Sequence, residues 1–259
     1  MIQIHLISLF PERLQAYFSQ GVLSRSGALS HFAIHYHQLR THSTRKHAQV
    51  DDHPFGGKHG MLLRADIAAA AITAIPHYQD LPILMPCPKG SMLHQRDLVR
   101  LAEGPGMIVL SPAYEGIDAR IYEMFPIQRF SCGDYVLTAG DIPAMLICDG
   151  VLRMLPGVLG NPECRTADSI ASGFLEHPQY TQPREIVNHE KMAPNGTYGV
   201  PPILCSGHHQ SVAKWKWVES LKATLYYRPD LLLLADMDDA MRDVLERLLK
   251  EPDYEFDTN

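Results

Sequence analysis

From Gly133 to Ala144 the chain reads Gly-Asp-Tyr-Val-Leu-Thr-Ala-Gly-Asp-Ile-Pro-Ala, too glycine-punctuated for a plain strand and too apolar for a surface loop. Glycine permits backbone conformations closed to other residues and lets the chain approach a ligand closely. The run therefore reads as backbone folded tightly around something, followed by a helix from Ile142 to about Met154. Arg153-Met-Leu-Pro-Gly-Val-Leu-Gly160 follows closely.

The 259 residues fit one large domain, or a medium domain with a small one. A hydrophobic content of 46% supports a real core, and a charged fraction of 20% is ordinary for a globular chain. No apolar run approaches the ~20 residues needed to span a bilayer. Met1-Ile-Gln-Ile-His-Leu-Ile-Ser8 reads as a strand without a basic region or cleavage site, so a cytoplasmic protein away from the membrane is expected. The five cysteines are scattered without a C-x-x-C pair, which argues against disulfides and a structural zinc. Histidines crowd the segment from His31 to His59. On a helix His31 and His35 share a face, but Phe32 stands where an H-E-x-x-H frame needs glutamate, so solvated or packed histidines are expected. A net charge of −6 excludes wholesale nucleic-acid coating but not a local basic path. One candidate path is Arg40, Arg45, Lys46 and Lys58. Another is Lys214, Lys216, Lys222 and Arg228, interleaved with Trp215, Trp217, Tyr226 and Tyr227; on composition alone it reads as a solvated helix with an aromatic core face.

Aliphatic runs at Gln3–Ser8, Leu81–Met85 and Met107–Ser111 read as strands. Asp66 is placed to cap an apolar helix over Ile67–Ile75. Strand–helix alternation implies an α/β layer with a largely parallel sheet. After Gly160 the chain becomes small and polar, so Asn161–Gly173 reads as a linker. Beyond it, Met237, Met241, Val244, Leu245, Leu248 and Leu249 recur at helical spacing behind an acidic first turn, and a small helical second domain is expected. Arg184–Gly199, with the turn signal Pro194-Asn-Gly196, reads as an exposed loop.

Two further motifs carry chemistry. Val50-Asp-Asp-His-Pro-Phe-Gly-Gly-Lys-His-Gly-Met61 is a glycine-rich loop whose backbone N–H groups can approach a ligand, with an acidic pair able to bind a cation or a base edge. Ser111-Pro-Ala-Tyr-Glu-Gly-Ile-Asp-Ala-Arg120 directly follows a strand, and open α/β sheets bind ligands outside the carboxyl ends of their strands. Taken singly, these are also what surface turns look like, and Asp168-Ser169 before Ile170 is equally good helix-cap chemistry.

Together the motifs resemble the bacterial tRNA (guanine-N1)-methyltransferase family, which methylates the guanine just 3′ of the anticodon. Val50–Met61 is similar to its Asp-x-Pro-Tyr-Gly-Gly-Gly-x-Gly-Met pattern, with Phe55 for Tyr and Lys58 for the third Gly. Tyr114, Glu115, Gly116, Ile117, Asp118 and Arg120 match Gly-Arg-Tyr-Glu-Gly-Ile-Asp-Glu-Arg. Ser8-Leu-Phe-Pro11, His177-Pro-Gln-Tyr-Thr-Gln-Pro183, Pro201–His208, Trp215-Lys216 and Arg228-Pro-Asp-Leu231 extend the resemblance end to end.

The resemblance implies a trefoil-knotted α/β methyltransferase domain of SPOUT type over 1–160, a linker over 161–175 and a helical tRNA-binding domain over 176–259. It implies an obligate homodimer with the active site at the subunit interface and S-adenosylmethionine held by three loops. The donor residues carried over are Met85, Pro86, Cys87 and Pro88; Pro112, Glu115 and Gly116; and Cys132, Gly133, Tyr135, Leu137, Gly140 and Pro143. Asp168, from the partner's linker, aligns with the catalytic aspartate and Arg153 with the catalytic arginine. Asp51, Gly56, Gly57, Ser169, Lys214 and Lys216 are carried over as tRNA contacts, and Glu115 as the carboxylate linked to magnesium. N1 of guanine carries a proton, so a carboxylate there can act as general base while an arginine stabilises charge developing on O6.

All three donor loops depart from the family pattern: Met85-Pro-Cys-Pro88 replaces Tyr-Leu-Ser-Pro, Pro112-Ala113 replaces Gly-Arg, and Ala139-Gly140 replaces Gly-Gly. Proline lacks a backbone donor and alanine penalises positive φ. Each lost N–H contact to the donor costs on the order of 1–3 kcal/mol. Two readings follow: an active methyltransferase with a repacked pocket, or a degenerate or substrate-shifted paralogue that binds tRNA without normal donor use.

Overall fold

The computed structural model describes residues 1–25, 30–57, 59–159, 169–170, 172–187, 197–233, 235 and 237–250. The chain divides into two units, Met1–Pro162 and Glu163–Asn259.

In the first unit, Ile2–Ser8 (β1) places Ile4 and Leu6 on one sheet face and Ile7 on the other, all fully buried. Met107 and Val109 alternate in the same way with Ile108 and Leu110 in Gly106–Leu110 (β6). Strands covered on both faces read as near-continuous aliphatic runs, which is why these were legible. Phe32–Gln38 (β2), Ile83–Met92 (β5) and Ile127–Ser131 (β7) complete a five-stranded sheet of order β2-β1-β6-β5-β7. Every pairing in it is parallel. Asp51–Asp52 (β3) and Leu62–Leu63 (β4) form a short antiparallel pair beside it.

One face is packed by Pro11–Phe18 (α1), Gln95–Ala102 (α3) and Asp141–Met154 (α5), through Leu14, Phe18, Leu101, Ile147, Cys148, Val151 and Leu152. The other is packed by Ala65–Thr73 (α2) and Ile121–Met124 (α4), through Ile67, Ala68, Ile72 and Ile121. Asp66 does not cap α2: Arg64 holds the N-cap position, and both Asp66 carboxylate oxygens are taken by its guanidinium. His31 and His35 share no helix, because Phe32–Gln38 is a strand. Its alternation instead points His35 and His37 at His5 of β1, the rings stacked at centroid distances of 4.7 and 5.2 Å.

The strand expected to end at Met85 continues to Met92, with a register shift against β7 between Pro86 and Ser91. A bulge of this kind re-aims side chains and interrupts pairing. Gly90 makes it possible, since any Cβ there would collide with the Arg129–Phe130 backbone.

In the second unit, His209–Tyr227 (α6), Pro229–Leu232 (α7) and Asp239–Lys250 (α8) bury Val218, Leu221, Leu232, Val244 and Leu248. In the expected α8 stripe, Val244 and Leu248 are buried while Leu249 is 64% exposed, and Met237 precedes the helix. Phe174 packs on this core, and Leu175 N–H donates to Thr224 Oγ1 at 2.9 Å. Arg184–Gly199 is not a plain loop: Glu185–Val187 (β8) and Thr197–Gly199 (β9) pair antiparallel as an exposed ribbon. Its Pro194-Asn-Gly196 turn lies outside the described residues.

Candidate functional site

The segments leaving β5, β6 and β7 converge on a cavity of about 360 Å³ in the first unit. This lies in the size range of small-molecule sites, at the strand ends where open sheets bind ligands. The β5 bulge contributes Pro86, Cys87 and Pro88, and the loop after β6 contributes Pro112, Tyr114, Glu115 and Gly116. The long loop into α5 contributes Cys132, Gly133, Tyr135, Leu137, Gly140 and Pro143. Of the donor residues carried over from sequence, only Met85 is elsewhere; it is 2% exposed in the core under the α2 face. Thr138 and Tyr114 join the wall without having been singled out as contacts.

Local chemistry explains the shape of each wall. Gly133 has φ +141°, and Tyr135 curls back over it so closely that a Cβ would strike the ring. The Tyr135 hydroxyl donates to the Cys132 carbonyl at 2.9 Å, closing that turn. Val136, at the crest, is 90% exposed. The loop then enters α5 with Pro143 in the first turn, where a missing N–H costs no intrahelical bond.

The loop after β6 is held in a strained form. Tyr114 has φ +60°, a conformation non-glycine residues rarely adopt. Surrounding bonds fix it: Glu115 N–H donates to Met61 O at 3.0 Å, Leu63 N–H to Gly116 O at 2.9 Å, and Asp118 N–H to Leu63 O at 2.9 Å. Burial, then the Asp51 carboxylate to which the Tyr114 hydroxyl donates, push the Tyr114 pKa up, with Arg40 acting oppositely. Gly60, at φ +94°, packs so tightly on the Glu115 side chain that a Cβ would overlap it. The glycine-rich segment and Glu115 are therefore neighbours, which sequence distance concealed.

Two of the sequence departures, Pro112 and Ala139, prove sterically compatible. Ala139 is not among the described residues with positive φ, so the expected alanine penalty is absent. Gly140 is near-helical at φ −75°, ψ −3°. Its N–H donates to Pro112 O at 2.8 Å, and the Pro112 ring occupies the space a Gly140 Cβ would need. The two altered loops are thus fitted to each other.

Other candidates fall as follows. Gly56 and Gly57 have φ +85° and +76° in an open loop where Phe55 is 98% exposed. Arg153 is exposed in the last turn of α5. In the second unit Lys214 and Lys216 are exposed on α6, and Ser169 Oγ accepts Glu176 N–H at 2.9 Å. Asp168 and Lys58 lie outside the described residues. No group of three His, Cys, Asp or Glu able to hold a metal occurs among the described residues. No described helix is long and apolar enough to cross a membrane.

A larger cleft of about 940 Å³ lies between the Asp52–Phe55 segment and Asp118–Arg120. Its arginines are each matched by a carboxylate: Arg45 with Asp52, Arg64 with Asp66, and Arg120 with Asp118. The Arg120 fork holds the Asp118 carboxyl below its usual range. Charge in this cleft is matched locally, with Arg64 Nη1 buried and without a hydrogen-bond partner among the described residues, whereas backbone and aromatic groups converge on the smaller cavity.

The comparisons agree with the geometry. A family profile described as tRNA (Guanine-1)-methyltransferase TrmD matches residues 2–234. A protein of Gluconobacter oxydans named tRNA (guanine-N(1)-)-methyltransferase is 36% identical over 226 residues, covering 87% of this chain and 93% of its own. One of that name from Staphylococcus epidermidis is 35% identical over 250 residues, covering 96% and 98%. Another, from Magnetococcus marinus, is 36% identical over 252 residues, covering 97% and 98%. With a family profile matched over residues 2–234 and relatives matched along nearly the whole chain, the protein belongs to the tRNA (guanine-1)-methyltransferase TrmD family.

Proposed function

We propose that the protein transfers a methyl group from S-adenosylmethionine to N1 of the guanine 3′ of the anticodon in tRNA. The observation that carries this is the convergence of three separate loops on one cavity, in a chain that matches the family over residues 2–234. When bound, the donor supplies an electrophilic methyl on sulfur. Backbone groups of the three loops that line the cavity would hold its adenine and ribose. Asp168 takes the N1 proton, and Arg153 stabilises the charge developing at O6. Asp51, Gly56, Gly57, Ser169, Lys214 and Lys216 hold the tRNA. The relatives' names give the degenerate reading no support, and the altered Pro112 and Ala139 both avoid positive φ.

A trefoil-knotted fold for 1–160, a linker over 161–175 and a tRNA-binding 176–259 belong to the same proposal. So does a cytoplasmic homodimer whose site lies at the subunit interface. Exposed apolar side chains beside the cavity, Tyr135, Val136 and Ile142, support a second copy closing over it. Magnesium fits only as an ion that keeps most of its waters or takes ligands from donor and RNA, because Glu115 is a single carboxylate. The test is incubation with labelled donor, magnesium and a tRNA transcript, followed by nuclease digestion. 1-Methylguanosine is expected from the guanine 3′ of the anticodon and lost when that base is adenine. No labelled nucleoside after prolonged incubation would overturn the proposal.

A further inference from the structure

Asp141 opens α5, and its side chain is 8% exposed. A carboxylate this deep is costly unless hydrogen-bonded. Its Oδ1 accepts Ser8 Oγ at 2.8 Å and Ser111 Oγ at 2.6 Å, and its Oδ2 faces Arg13 Nη1 at 3.5 Å. Ser8 Oγ also accepts Phe10 N–H at 2.9 Å, and the Arg13 guanidinium lies 4.3 Å over the Phe10 ring. One carboxylate therefore joins the ends of β1 and β6 to the starts of α1 and α5.

The position of this junction gives it a consequence for the cavity. Ser111 immediately precedes Pro112, and Asp141 immediately follows Gly140. Pro112 and Gly140 are cavity walls joined by the Gly140 N–H to Pro112 O bond. Neither Asp141 nor Ser8, Ser111 or Arg13 lines the cavity itself. The junction also accounts for the Ser8-Leu-Phe-Pro11 motif, which the cavity leaves unused.

We propose that Asp141 is the positioning residue of the donor site: by holding Ser8 and Ser111 it fixes the loop after β6 against the loop entering α5. This rests on the reading of that cavity as the S-adenosylmethionine site. Asp141→Ala removes the acceptor that both hydroxyls donate to and lets the loops separate. It raises the Kd and KM for S-adenosylmethionine about 10- to 100-fold while leaving kcat at saturating donor within about threefold. Asp141→Asn retains an Oδ1 acceptor for both hydroxyls and recovers most of the affinity. Ser8→Ala, remote from the donor, raises the Kd about 3- to 10-fold.

The experiment measures donor Kd by equilibrium dialysis, initial rates with tRNA and unfolding midpoints for the full chain and these three variants. A purely structural role would lower the midpoint and the active fraction but leave the Kd of folded molecules unchanged. A folded Asp141→Ala protein with wild-type Kd overturns the proposal. If Asp141→Ala does not fold, a raised Kd in Ser8→Ala supports it and an unchanged Kd overturns it. Absence of donor binding by the wild type would instead sink the donor-site reading and this role with it, whereas binding by the wild type with unmoved variants sinks the role alone.

Discussion

Gly140→Ala separates steric fit from backbone strain at the donor site. Position 140 is near-helical at φ −75°, ψ −3°, a conformation alanine adopts freely. The added Cβ would overlap Pro112 Cδ and lie 2.9 Å from both Pro112 Cγ and Pro112 N. The obstacle is a rigid ring and backbone, not the tip of a flexible side chain. Relief requires one donor loop to shift, and overpacking of this kind costs about 1–3 kcal/mol. If the shift widens the cavity, that cost appears in donor affinity as a roughly 5- to 150-fold higher Kd. If the clash stays in the folded protein, it appears instead as a midpoint lowered by about 2–4 °C per kcal/mol. The loop after β6 is a surface segment, so the larger effect is expected in Kd, read by calorimetric titration beside thermal unfolding. Pro112→Gly removes the ring and is expected to rescue Gly140→Ala, with a coupling of at least about 1 kcal/mol in a double-mutant cycle. Wild-type affinity in Gly140→Ala, or strict additivity with Pro112→Gly, would refute the interlocking of the two loops.

Ala139→Gly, which restores the family residue, is expected to change donor Kd by less than about threefold, because Ala139 is not at positive φ; a large gain by calorimetry would show strain there. Asp168→Asn and Arg153→Ala are expected to lower single-turnover methylation by about 10²- to 10⁴-fold while leaving donor Kd near wild type. Burial and the neighbouring His35 and His37 lower the His5 pKa from 6.5 to about 4. The unfolded chain then binds more protons between those values, so the contribution is complete above pH 6.5 and is lost as pH falls toward about 4. It is at most about 3 kcal/mol, measurable as the difference in urea stability between wild type and His5→Gln across that window.

What could be read in the sequence was what local chemistry dictates. The β1 and β6 strands were legible because both faces are buried and their aliphatic runs are unbroken. The Gly133–Gly140 and Ser111–Gly116 walls of the cavity were legible through glycine punctuation and a place directly after a strand, whereas Pro86–Pro88 was reached only through the family resemblance. Features set by partners distant in sequence were not legible. Asp66 looks like a cap until Arg64 takes its carboxylate. Packed histidines were expected, but their partner was not: His35 and His37 stack on His5 only because β1 pairs beside β2. Asp141 meets Ser8 across 133 residues, and Gly60 meets Glu115 across 55 (115 − 60); no local pattern signals either. The β8–β9 ribbon escaped because both of its strands are fully exposed, leaving no alternation to read.

Calorimetric titration of the purified protein with S-adenosylmethionine, with and without a tRNA transcript, tests most directly whether loops carrying Pro112, Cys87 and Ala139 still build a donor site. Binding at one site per subunit with micromolar Kd is the expected result. Absence of binding in both conditions would contradict it, and the catalytic roles given to Asp168 and Arg153 would fall with the donor site.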